Sequence, residues 1–188
     1  MYAGHYAAAV VLRAREPRAP FWGILIGVGL LDLLFGPFVL LGIERVTLTP
    51  GVSPGFSLDY IDWSHSLAMA LVWSAAFGAL FFRYGRRVAL VMALAVFSHF
   101  LLDLPMHPAD LALWPGSAVH LGFGLWTLWP HGWWFVELAV IVAACAYYIR
   151  TARHSESFGR FPWLIAAVIV VLHAVNNPWL SALQSGSG

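Results

Sequence analysis

Lysine is absent from this sequence: all ten basic residues are arginine, and charged residues make up only 10% of the chain. Ordinary soluble domains carry about 25%, so there is too little charge here to cover a water-facing surface. The formal net charge of +1 at pH 7 excludes the strongly basic face of a nucleic-acid binder. The single cysteine, Cys145, lies in an apolar run. Neither a disulfide framework nor a cysteine-based metal cage can therefore form within one chain. No repeat or low-complexity tract is present, and no polar stretch is long enough for a second domain. The amino terminus lacks the basic-then-apolar order of a cleavable signal peptide, since its arginines follow its apolar segment.

What is abundant is apolar residues, 61% of the chain with a mean hydropathy of +0.77. Several runs approach or pass the ~20 residues needed to cross a hydrocarbon core. The expected fold is all-α, a polytopic transmembrane helix bundle of about five full spans plus a short amino-terminal half-helix. Residues 1–183 form one transmembrane domain, and 184–188 read as a flexible tail or an expression-vector remnant.

Residues 2–12 carry His5 and are too short to span, which suggests a half-inserted or interfacial helix ended by Arg13 to Arg18. The spans are expected at about 21–43, 63–82, 88–105, 131–149 and 161–183. Gly23 and Gly27 give the first a small-residue face for close packing, and Gly36-Pro37 predicts a kink just past Asp32. Asp62 is placed to cap the second span. The 44–62 and 106–130 stretches, rich in Pro and Gly, read as loops. Nine of the ten arginines fall in 13–18, 83–87 and 150–160, on one side of a five-span bundle, with four acids (Glu44, Asp59, Asp62, Asp110) on the other. The positive-inside rule then places the arginine turns in the cytoplasm and the Trp-rich loops outside.

Ionisable residues inside such spans are functional-site candidates by default. His99 and Asp103, four apart, share one helix face, and Asp32 lies near the same depth as His99, about 12 residues or roughly 18 Å from the cytoplasmic end. Two buried carboxylates beside neutral imidazoles, with no lysine anywhere and no arginine inside a span, suit a divalent ion such as zinc, manganese or iron. Hydrogen-bonded glue between helices is the alternative for His99/Asp103. His65, one turn into the second span, is either interfacial or a ligand that Ser64, Ser66 and Asp62 could support. Asp59 and Asp62 are loop and cap residues or proton-transfer groups, and Glu137 is an acid, base or ligand candidate. His173 and Asn177 read as uncharged glue. His107, His120 and His131 are expected to be solvated or interfacial, as is His154. The tryptophans read first as interface anchors and second as walls of a lipid-acyl groove.

An early histidine (His5), an aspartate in the first span (Asp32), Trp63-Ser64-His65-Ser66 and Ser98-His99-Phe100-Leu101-Leu102-Asp103 together resemble the YdjM-like membrane-bound metal-dependent hydrolases of the bacterial inner membrane. The resemblance covers about residues 1–115, and the Ser-His-x-Leu-x-Asp element is its most specific part. Tyr60, Ile61, Ser64 and Leu34 depart from the family pattern, which implies one or two ions in place of a larger cluster. That family is distantly similar to zinc-dependent phospholipase C and related nucleases, which implies phosphoester hydrolysis.

The combined reading is a metal-dependent hydrolase. His5, Asp32, His65, His99 and Asp103 are the expected ligands of a divalent ion, most simply zinc, with Asp62, Asp59 or Glu137 moving protons. The expected substrate is a lipid or amphipathic phosphoester at the outer side of the membrane. The alternative is a small non-enzymatic protein that transports protons or transition-metal ions through the same Asp/His site.

Overall fold

The computed structural model describes residues 2–48, 56–129, 131–153 and 162–177. These residues are mostly helical. α1 (Tyr2–Arg15) is followed by α2 (Phe21–Val28) and α3 (Leu30–Leu40). A hairpin of β1 (Arg45–Leu48) and β2 (Phe56–Tyr60) leads to α4 (Asp62–His65), α5 (Leu67–Leu80) and α6 (Arg86–Asp103). Two short paired strands, β3 (Leu111–Ala112) and β4 (His120–Leu121), precede α7 (Leu125–Leu128), α8 (Gly132–Ala152) and α9 (Pro162–Val175). The 44–62 and 106–130 stretches therefore hold antiparallel pairs and a helical turn where loops were expected. The tail at 184–188 and His154 lie outside the described residues.

α1 is the seam of the molecule. Its alanine-rich sequence favours helix, and Arg13 and Arg15 in its last turn complement the helix dipole. One side packs on α2 and α6, the other on α8 and α9. Ala3, Ala7 and Val10 are fully buried in the α8/α9 core, and Ala9 is buried in the core built by α2, α5 and α6. Where a half-inserted or interfacial helix was expected, small side chains let α1 sit between two packed halves.

The first apolar run bends by 51° between α2 and α3. The break falls at Gly29, whose φ of −106° and ψ of 4° leave the helical region. Pro37, where the kink was expected, is carried inside α3. The second run is also broken, because Ser66 is extended and caps α5 by accepting from Met69 N–H at 3.3 Å. Asp62 is not the cap; its carboxylate accepts from Gly116 N–H at 2.8 Å. Backbones approach closely at Gly27, where a Cβ would lie 2.8 Å from Ala95 Cβ on α6.

Among the described residues, α8 with 21 residues is the one helix long and apolar enough to cross a membrane, and the α2–α3 pair passes the same test jointly. α5 and α9 are apolar but shorter, at 14 residues each. Large apolar side chains are exposed along several helices, including Leu33 and Leu40 on α3, Leu71 and Leu80 on α5, Leu90 on α6, Val142 on α8 and Val171 on α9.

Candidate metal centre

The helix breaks and the end of α6 bring the polar residues together. Asp32 lies in the first turn of α3, where a carboxylate is favoured by the helix dipole. His65 ends α4, just before the Ser66 break. His99 and Asp103 occupy the last turns of α6, and His5 projects from the first turns of α1.

His99 Nε2 lies 3.1 Å from Asp103 Oδ2 and 3.6 Å from Asp32 Oδ1. His65 Nε2 lies 3.5 Å from the same Asp32 oxygen, and His5 Nε2 lies 3.3 Å from Asp103 Oδ1. His5 and His99 stack nearly parallel, ring centres 3.7 Å apart. The donor sets His5/His99/Asp103 and Asp32/His65/His99 are each compact enough for one ion, and they share His99. Asp103, His5, His65 and His99 are buried, while the Asp32 side chain is 56% exposed and opens the site to the surface.

The far side of each ring carries further information. His99 Nδ1–H donates to the Val28 carbonyl at 2.7 Å. A carbonyl can only accept, so Nδ1 carries a proton, and Nε2 is the nitrogen that faces the carboxylates. That carbonyl is free because Val28 is the last residue of α2 and sits at the break. His65 Nδ1 is 2.6 Å from Ser64 Oγ. The Ser64 hydroxyl donates to Glu44, whose oxygens are 2.8 and 2.9 Å away, so Oγ accepts from the imidazole. His107 Nδ1–H donates to Asp110 Oδ1 at 3.0 Å, and its Nε2 lies 3.9 Å from Asp103 Oδ2. Three rings thus have Nδ1 engaged from behind and Nε2 aimed at the two aspartates, the arrangement that orients histidine ligands at metal sites.

His107, Asp110 and Glu44 are the site residues that the sequence reading did not assign. His107, expected to be solvated or interfacial, is buried against Trp126, ring centres 4.4 Å apart. The backbone of 123–126 bonds back onto 104–107, Gly124 N–H meeting the His107 carbonyl at 2.6 Å, and this folds the loop inward. Gly122, at φ +138°, makes the return possible, because a Cβ there would overlap the Pro108 carbonyl. His120 and His131 are exposed.

The three carboxylates expected to move protons are engaged elsewhere. Asp59 is exposed on β2, where the Thr47 and Ser57 hydroxyls donate to it at 2.5 and 2.6 Å. Those bonds, Ser57 first, hold its carboxyl below the usual range. Asp62 is held by Gly116, as above. Glu137 is fully buried between α1 and α9, accepting from Gly4 N–H at 2.8 Å. His173, read with Asn177 as uncharged glue, stacks on Trp134 at 4.4 Å with Nδ1 3.8 Å from Glu137 Oε2.

Comparison of the chain with protein-family models, with curated proteins and with solved structures finds no match. The likeness to the YdjM-like hydrolases rests on the motifs quoted above.

Proposed function

We propose that this chain is a membrane-embedded, metal-dependent hydrolase in which His5, Asp32, His65, His99 and Asp103 hold a divalent ion, most simply zinc. The observation that carries the reading is His99. Its Nδ1–H is committed to a backbone carbonyl, and among the described residues its buried Nε2 makes no hydrogen bond of good geometry although two carboxylates lie within 3.6 Å. Separations of 3.1–3.6 Å between donor atoms are long for charge-assisted hydrogen bonds. They lie in the range expected between neighbouring ligands of one ion with bonds of about 2.0–2.1 Å.

When bound, such an ion polarises a phosphoryl or carbonyl oxygen and acidifies water. The protein's part is to hold the donors in place. Val28, the Ser64–Glu44 relay and Asp110 fix the tautomers and aim the rings. Asp32, half exposed, lies where substrate would arrive. His107, oriented by Asp110 and shielded by Trp126, is the imidazole beside the ligands able to accept or deliver a proton.

The membrane setting is part of the same reading: α8 and the α2–α3 pair are long and apolar enough to cross, and the shorter α5 and α9 with α6 would complete five crossings, with the arginine turns cytoplasmic. Support comes from the outward-facing apolar side chains and from the arginine asymmetry. A lipid or amphipathic phosphoester fits the same setting, and an open apolar groove of about 250 Å³ runs between α1, α6 and α8. Its wall includes Ala8, Ser98 and Leu102, on the helices that carry His5, His99 and Asp103.

Detergent-purified protein assayed for bound metal and for metal-dependent cleavage of a lipid phosphodiester tests the proposal. Stoichiometric metal and turnover, both lost in His99→Ala, are expected. Absence of metal from protein purified without chelator overturns it. Bound metal without turnover on phosphoesters favours transport of ions through the same site.

A further inference from the structure

Glu137 was expected to act at the chemistry, yet its carboxylate is spent on the backbone of α1. Oε1 accepts from Gly4 N–H at 2.8 Å, and the side chain is fully buried. Gly4 lies in the first turn of α1, where amide groups have no partner inside the helix. A carboxylate supplied by α8 satisfies one of them and meets the positive end of the helix dipole. The next residue is His5.

His5 differs from the other imidazoles of the site. His65, His99 and His107 are each anchored at Nδ1, whereas His5 Nδ1 is buried without a hydrogen-bond partner among the described residues. Its placement therefore depends on its contacts with His99 and Asp103 and on where the first turn of α1 sits. Glu137 holds that turn. The glutamate is confined in its turn by α9, where His173 lies 3.8 Å from Oε2 and stacks on Trp134.

We propose that Glu137 is a positioning residue for the metal site: by holding Gly4 it sets His5 Nε2 against Asp103, and without it the ion loses the His5 donor. This rests on the metal reading above. The role differs from acid, base or ligand, since no atom of Glu137 need touch ion or substrate.

The test uses cobalt(II) as the probe in full-length, detergent-purified protein, with affinity and the visible d–d absorption as readouts of ligand number. Wild type is expected to bind one cobalt with His5 among its ligands. His5→Ala and Glu137→Leu should each weaken cobalt binding by about 10–100-fold and produce the same altered spectrum. The double variant should be no worse than either single one, because both remove one donor. Glu137→Gln, whose amide oxygen can still accept from Gly4, should restore the wild-type spectrum. If Glu137→Leu does not fold, Gly4→Pro removes the same hydrogen bond from the other partner, at a position in the first helical turn where proline is tolerated. Wild-type affinity and spectrum in Glu137→Leu or Gly4→Pro overturn the proposal, as do effects of His5→Ala and Glu137→Leu that multiply. Failure of the wild type to bind cobalt overturns the metal reading itself, which separates the two outcomes.

Discussion

Two groups of buried polar side chains lie on opposite sides of α1, and they are built differently. In the group around His99, three imidazoles are tied through Nδ1 to a carbonyl, a serine or a carboxylate. In the group around Glu137, neither nitrogen of His173 has a hydrogen-bond partner among the described residues, and Glu137 Oε2 has none there either. Burial alone does not separate them, for His99 and His173 are both about 1% exposed. The anchors do. A ring fixed from behind presents its other nitrogen in one direction, as histidine ligands do; His5 is the one ring of the first group without that anchor, and its stack on His99 and its contact with Asp103 hold it instead.

The sharpest way to break this contrast is to remove one imidazole from each group. His99→Ala should abolish stoichiometric metal binding, an affinity loss beyond 100-fold by elemental analysis, while His173→Phe should leave metal content unchanged. Equal losses in the two would erase the distinction. Next in size is the anchor itself: Ser64→Ala frees His65 Nδ1 and should weaken metal binding by about 10–100-fold, measured by competition with a chelator. A smaller effect, on stability and not on metal, is expected for His173→Phe. Replacing an unsatisfied buried imidazole by a ring that can still stack on Trp134 should hold or raise the melting temperature. Smallest is Asp59→Asn, outside both groups, which should leave metal binding unaltered. The folded-state pKa of Asp59 is depressed, so its contribution to the hairpin is present above the unfolded value of ~3.9. That contribution is lost as pH falls through the lower folded value. Melting curves of the variant and wild type should therefore converge in acid.

Some of this was legible in the sequence. His99 and Asp103 show by their four-residue spacing in an apolar run, and Asp32 by its charge in another. His107 and Asp110 continue that spacing, yet Pro105 and Pro108 made them read as an outer loop. What folds them inward is backbone pairing with residues 123–126, which no local pattern announces. Glu44 was hidden because its partner Ser64 is 20 residues away across a hairpin. The α2–α3 break was displaced seven residues from Gly36, the expected kink, to Gly29, because a helix can carry a proline whereas Gly29 leaves the helical region outright. α1 was underestimated because length in sequence says nothing about what covers a short helix on both sides.

The break at Gly29 has one more consequence. On one side of it lies the carbonyl that steadies His99, and on the other, three residues along, lies Asp32, whose oxygen faces the same ring. A cation gripping both side chains would close a short loop across the elbow, through the ion and the His99–Val28 hydrogen bond, and lock its angle. Stripped of that cation, α3 keeps at this point its packing and the longer contacts of Asp32 with His65 and His99, so loading and unloading should register as a change in how stiffly the elbow is set.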